Sequence, residues 1–274
     1  MKLDLDFKYK SIIEFLKKES PFIPEISLVL GSGLGDFANS VNTIKTISTS
    51  SINNYPASTV VGHEGKIHFA EYKGKKLLLF QGRIHFYEGY KFSECILPVY
   101  ISYRLGCKKI LLTNAAGGIN KNFVPGDLML ALSFNGINLK KELTQLIGLA
   151  DVNTKNNFVD FPSANFNKII KQSAEELKFI IKEGTYWYTK GPSYETPAEI
   201  KMMDKFGGDS VGMSTVHEAI FSAYLGMETA SISCITNYAA GISNKKLSHS
   251  EVTESANLVK GKFEQLVKKT LKNL

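Results

Sequence analysis

ISLVLGSGLG, residues 26–35, runs a short apolar segment straight into a glycine turn. That pattern reads as a buried strand feeding a tight loop. Working outward, Ile12, Ile13 and Leu16 upstream fall on one face of a helix. Downstream, IHFAEY at 67–72 and LLLF at 77–80 are joined across KGKK and read as a β-hairpin, so part of the sheet is antiparallel. Further on, a helix is predicted from about Phe92 to Leu105, then strands KILLT (109–113) and LMLAL (128–132). A helix around Ile169–Ile181 precedes strand TYWYT (185–189). Helices from Pro197 and from about Val216 come before strand TASISCIT (229–236), and a closing helix sets Leu258, Phe263, Leu266, Val267 and Leu271 on one face. Residues 133–164 carry no clear period. Helical patterns alternate with apolar runs and no repeat or linker intervenes, which predicts a single α/β domain over 1–274.

Size and composition agree. A chain of 274 residues buries about 75% of its unfolded surface, and 43% hydrophobic with 22% charged residues excludes a disordered or fibrous protein. Cys95, Cys107 and Cys234 are too few and scattered for a disulfide framework, which points to a reducing compartment. The N-terminal MKLDLDFKYKSIIEFLKKES mixes both charge signs, unlike a signal peptide, and no apolar run approaches a membrane span of about 20 residues. A soluble cytoplasmic protein is expected.

The net charge of +7 invites a nucleic-acid reading. Of the 33 basic residues, however, only Arg83 and Arg104 are arginine, and the lysines are spread along the chain. With no arginine cluster and no aromatic-basic interleaving, nucleic acid is not the expected partner. The scarcity gives Arg83 in GRIHFYEGY (82–90) weight. Its planar fork suits bidentate phosphate binding or an ordinary ion pair, and the sequence leaves both open.

Four segments, GSGLG (31–35), GRIHFYEGY, NAAGG (114–118) and GPSYETPAE (191–199), suggest loops converging on a small anionic substrate. The first is no dinucleotide fingerprint: Asp36 takes the third glycine position, and no Asp or Glu occurs from Phe37 through His63. No P-loop pattern occurs either. A strand-to-turn loop exposing amides and the Ser32 hydroxyl remains, either a phosphate nest or a plain turn. Two capping boxes are predicted, Thr196-Pro-Ala-Glu199 and Thr215-Val-His-Glu218. They place Glu195 just before a fixed helix start and Ser214 where free amides favour an anion. His63 and His68 have the wrong spacing for a zinc helix, and His217 reads as a structural or surface histidine. His85 and His249 lie in polar, loop-like contexts.

Together, VLGSGLGDF, GHEGKIHFAEYKGKKLLLFQGRIHFYEGY, LLTNAAGGIN, GPSYETPAE, VGMSTVHE and ITNYAAG, in this order, make the chain resemble the purine nucleoside phosphorylases of the trimeric class. The resemblance implies an α/β fold with a mixed, partly barrel-like sheet, a homotrimer, and no metal or organic cofactor. It implies reversible phosphorolysis of 6-oxopurine nucleosides, with phosphate as co-substrate. Matched position by position, it assigns phosphate to Ser32, Arg83, His85, Ala115 and Ser214, with His63 assisting. Tyr87, Met213 and His249 would meet the ribose. Glu195 and Asn237 would bind the base, with Asn114, Tyr194 and Val211 lining its pocket; His85, Glu195 and Asn237 would carry catalysis. Phe158, in a shortened segment between Ser133 and Pro162, is the candidate aromatic for a neighbour's ribose pocket. His217 replaces a proline usual in the family, and Tyr238 stands where some members carry lysine. A methylthioadenosine phosphorylase, which would carry aspartate in place of Asn237, and a non-catalytic purine sensor on the same fold are the alternatives.

Overall fold

A computed structural model describes residues 4–60, 62–148, 152–243 and 249–274. Among these residues nine strands form one sheet: β1 (Ile26–Leu30), β2 (Asn42–Ser48), β3 (Lys66–Tyr72), β4 (Lys75–Gln81), β5 (Lys109–Gly118), β6 (Leu128–Asn135), β7 (Lys182–Tyr188), β8 (Ser210–Gly212) and β9 (Glu228–Tyr238). Their order is β2-β3-β4-β1-β5-β8-β7-β6-β9, and β5 also pairs with β9, closing the last five into a barrel. The sheet is mixed. β1 lies parallel to both β4 and β5, β5 and β9 are parallel, and β3–β4 is the expected antiparallel hairpin. Its turn has Lys73 and Gly74 both at positive φ, the geometry a two-residue hairpin loop demands.

β1 is apolar because both its faces are covered. Leu28 and Leu30 point into one core with Leu79 and Leu111, against Phe166 and Ile170 of α7 (Ala164–Glu176) and Phe263, Leu266 and Val267 of α10 (His249–Asn273). Val29 points the other way, into a core with Leu78, Ile110 and Leu112, closed by Ile12 and Leu16 of α2 (Lys10–Glu19) and Ile101 of α4 (Leu97–Leu105). The remaining helices are α1 (Leu5–Lys8), α3 (Phe92–Cys95), α5 (Lys140–Ile147), α6 (Val152–Asn156), α8 (Pro197–Lys205) and α9 (Val216–Tyr224). No helix among the described residues is long and apolar enough to cross a membrane.

Several expectations are corrected. The helix predicted over 92–105 is two, α3 and α4, parted at Ile96, because Pro98 starts a helix more readily than it continues one. α7 begins earlier than predicted, capped by Ser163, and ends at Glu176, with Lys178 at positive φ beyond it. On α10 Leu258 is exposed, and Val259 takes its place in the buried stripe with Phe263, Leu266, Val267 and Leu271. NAAGG is no loop: it is the far half of β5, paired with β9 and β8.

Candidate active site

The strand ends gather the predicted residues. One pocket is lined by Ser32 beyond β1, Arg83, His85 and Tyr87 beyond β4, Ala115 on β5, Tyr194 and Glu195 between β7 and α8, Val211, Met213 and Ser214 on and after β8, and Asn237 on β9. Ligand sites at strand ends are the rule for open α/β sheets.

Arg83 is buried and lines this pocket. Its Nε sits 3.2 Å from Glu218 Oε2 and donates to Oε1 at 3.5 Å. Nη1 donates to the Thr113 carbonyl at 2.6 Å and to Ser214 Oγ at 3.4 Å. Nη2 has no partner among the described residues. The two readings of Arg83 left open by the sequence are therefore compatible: Nε is ion-paired, and Nη2 alone is left over. Gly31 makes room for this, since a Cβ there would lie 2.6 Å from the Thr113 carbonyl and 3.0 Å from Nη1.

Histidines stack beside it. The His63 and His85 rings lie 5.1 Å apart, and His85 and Tyr87 4.7 Å apart, each pair near parallel. His85 Nδ1 sits 3.0 Å from Glu88 Oε1, which also accepts the His85 backbone N–H at 2.8 Å. Burial works to raise the Glu88 carboxyl, but hydrogen bonds from His85 and Thr59 hold it down to about 2. A carboxylate there fixes the proton on Nδ1 and leaves Nε2 free to accept. Burial lowers His85 from its ordinary value despite Glu88, and pushes His63 down to about 4. His63 stands outside the pocket lining, behind Ser32, whose Oγ is 3.2 Å from its Nε2.

Glu195, also in the pocket lining, precedes α8, whose start has the expected form: Thr196 caps Glu199, Glu199 caps Thr196, and Pro197 opens the first turn. The Thr189 hydroxyl donates to Glu195 Oε1 at 2.5 Å. Asn237 is held by its neighbours: Thr236 Oγ1 donates to its Oδ1 at 2.8 Å, and its Nδ2 donates to the Tyr238 carbonyl at 3.0 Å. That leaves the second amide hydrogen for the pocket.

The second capping box is absent. Thr215 adopts φ 74° and its side chain caps nothing in α9. Its Oγ1 instead accepts from Asn114 Nδ2 at 3.0 Å and lies 3.1 Å from Ser214 Oγ. Asn114 is thus a buried support behind the site rather than part of the pocket lining. Glu218 is fully buried under Arg83; burial pushes its carboxyl up, against the guanidinium and the Thr215 amide. His217 is fully buried too, its ring edge-on to Phe92 and Tyr188, with neither ring nitrogen hydrogen-bonded among the described residues. Phe158 follows α6, away from this pocket, with its ring edge-on to Phe161. His249 opens α10, and its side chain lies outside the described residues.

Glu88 and Thr189 are not singled out by the sequence, which gives Glu218 only a helix-capping role. Glu88, three residues after His85 in a motif already quoted, was the legible one. Gly117, Gly212 and Thr236 also line the pocket.

This fold and this pocket define a class. The chain belongs to the phosphorylase superfamily, whose sequence profile matches residues 25–272. It is 42% identical over 264 residues to purine nucleoside phosphorylase 1 of Geobacillus stearothermophilus, covering 95% of each chain. The Schistosoma mansoni purine nucleoside phosphorylase in complex with inosine superposes with a TM-score of 0.88 at 29% identity, over 99% of this chain and 98% of that one. The same organism's enzyme in complex with adenosine gives 0.86 at 29%, over 98% and 97%.

Proposed function

We propose that the chain is a purine nucleoside phosphorylase acting on 6-oxopurine nucleosides, inosine and guanosine and their deoxy forms. The reaction exchanges the bond from C1′ to the purine nitrogen for one from C1′ to a phosphate oxygen, and the electron pair of the broken bond leaves with the base. Cationic character grows on the ribose and negative charge on the purine, so both ends need stabilisation that strengthens in the transition state.

One observation carries this reading. A single pocket is lined by Ser32, Arg83, His85 and Ser214, and also by Glu195 and Asn237. Phosphate, held by Arg83, the two serine hydroxyls and the Ala115 backbone, faces the ribosyl carbon and attacks it. His85 takes or returns a phosphate proton through Nε2. Tyr87 and Met213 contact the ribose. Asn237 donates to the purine N7 as charge builds there. Glu195 accepts the N1 hydrogen of a 6-oxopurine, which adenine lacks; leaving such a carboxylate unpaired costs a hundredfold or more in selectivity. Tyr194 and Val211 line the base. His63 assists through Ser32, and His249 serves the 5′-hydroxyl.

Phosphate is the co-substrate and no metal or organic cofactor is required. The whole chain acts as one catalytic domain of a cytoplasmic homotrimer in which Phe158 serves a neighbour's ribose pocket. The named relatives, at high coverage, support the reaction; the residue roles rest on the matched motifs and the pocket lining.

The test is purine release from inosine, guanosine, adenosine and methylthioadenosine, each with and without inorganic phosphate. Phosphate-dependent release of hypoxanthine and guanine with little adenine is expected. Predominant adenine release would overturn the base-pocket assignment, phosphate-independent release would make the enzyme a hydrolase, and binding of inosine without turnover would make it a sensor.

A further inference from the structure

We infer that Glu218 is the positioning residue that aligns the two anion donors, Arg83 and Ser214, from beneath the pocket. The inference rests on the phosphorylase reading above. Glu218 reaches no pocket surface: it is fully buried, in the first turn of α9, and it is absent from the pocket lining. It acts through others.

Arg83 can present its fork in many ways, and a guanidinium selects an anion only when its plane is fixed. Glu218 takes the Nε side, at 3.2 and 3.5 Å from its two oxygens, while the Thr113 carbonyl takes Nη1 at 2.6 Å. Only Nη2 is left unpartnered, on an arginine that lines the pocket. The same carboxylate is stabilised by the backbone amide of Thr215. Thr215 itself stands at φ 74°, a conformation that a β-branched residue holds only when its surroundings enforce it. Asn114 pins the Thr215 side chain from the other side. Ser214, one residue before, is thereby set where its Oγ meets Arg83 Nη1 at 3.4 Å. One carboxylate thus fixes an arginine from the loop after β4 and, through that arginine, acts on a serine from the turn before α9. A second consequence is electrostatic: an arginine buried this deeply needs a countercharge when phosphate is away, and Glu218 supplies it.

The experiment compares Glu218→Ala, Glu218→Gln and Glu218→Asp with wild type. KM for phosphate is measured at saturating inosine and KM for inosine at saturating phosphate. Inorganic phosphate binding is followed separately by calorimetry, and Tm by thermal unfolding. Glu218→Ala is expected to raise KM for phosphate about tenfold or more while KM for inosine moves less than about threefold. Glu218→Gln keeps an oxygen to accept the Nε hydrogen and is expected to recover most of the phosphate affinity. If the alanine variant does not fold, Glu218→Asp, which withdraws the carboxylate by one methylene, is expected to raise KM for phosphate about fivefold, with calorimetry moving in parallel. A phosphate KM within twofold of wild type in Glu218→Ala, or in Glu218→Asp where the alanine variant does not fold, overturns the inference, as does a loss that affects both substrates equally and tracks Tm. Absence of phosphate-dependent turnover in wild type overturns the phosphorylase reading instead, and phosphate calorimetry then still decides whether Glu218 orders the anion donors.

Discussion

The Thr189 hydroxyl donates to Glu195 Oε1 across 2.5 Å, joining the residue just beyond β7 to the residue just before the Thr196 cap of α8. The carboxylate is therefore braced by a strand end on one side and a rigid helix start on the other. Its remaining oxygen capacity faces the pocket that it lines. Preorganisation of this kind lets a carboxylate discriminate between hydrogen-bond donors on a base.

Glu195→Gln should therefore lower kcat/KM for inosine by about a hundredfold, and Thr189→Val by about fivefold to twentyfold. The second figure is smaller because the carboxylate survives and only its orientation is lost. Steady-state kinetics with inosine and adenosine check both. Equal losses on the two nucleosides would show that Glu195 does not read the purine N1.

Asn237 gives a sharper test of base recognition. Its oxygen is already occupied by the Thr236 hydroxyl and its amide also reaches the Tyr238 carbonyl. Asn237→Asp replaces the pocket-facing donor by an acceptor and, when protonated, by a hydroxyl that can serve adenine. The adenosine-to-inosine ratio of kcat/KM should rise at least about tenfold. An unchanged ratio would remove Asn237 from the base site.

Much of this was legible in the sequence, for identifiable reasons. β1, β3 and β4 were readable because strands covered on one or both faces keep apolar runs, and α8 because its start carries Thr196, Pro197 and Glu199 together. β2 escaped because it is largely exposed and carries little apolar pattern, and β8 because three residues are too short for a period. The Thr215 box failed for a different reason. Its threonine and glutamate have the right spacing, but both are recruited by the site: Thr215 by Asn114, Glu218 by Arg83. Local capping chemistry was overridden by long-range contacts, which spacing alone does not show. The same limit hid Thr189 and Glu218, whose partners are distant or set by turns.

Gly31 tests the packing beneath the anion donors. A Cβ there would approach the Thr113 carbonyl to 2.6 Å, the Asn114 Cα to 2.8 Å and Arg83 Nη1 to 3.0 Å. Two of these neighbours are backbone and cannot swing away, so Gly31→Ala must displace β5 or the guanidinium. Overpacking of this kind costs about 1–3 kcal/mol. A lower Tm is expected together with a raised KM for phosphate, and retention of both would mean that Arg83 reaches its place without the Thr113 carbonyl.

His217 and its neighbours set the response to acid. Burial lowers His68 and His85 and, aided by the charges of Arg83 and His85, drives His217 well below its ordinary value; His63 falls to about 4. These histidines stay neutral in the fold while the unfolded chain takes up protons near pH 6.5. Stability is therefore fully present above that value and is lost as pH falls from 6.5 toward 4, by up to about 1.4 kcal/mol per histidine per pH unit. His217 contributes without compensation, because neither ring nitrogen has a partner among the described residues and its ring contacts are Phe92 and Tyr188. His217→Phe offers a ring of similar size with no polar atom to bury. It should hold or raise Tm at pH 7.5 and flatten the fall in Tm between pH 7.5 and pH 5.5, measured without phosphate so that ligand binding does not mask the effect. A fall as steep as wild type would assign the acid sensitivity to the remaining histidines, and a large loss of Tm at pH 7.5 would mean that the His217 ring nitrogens are satisfied in solution.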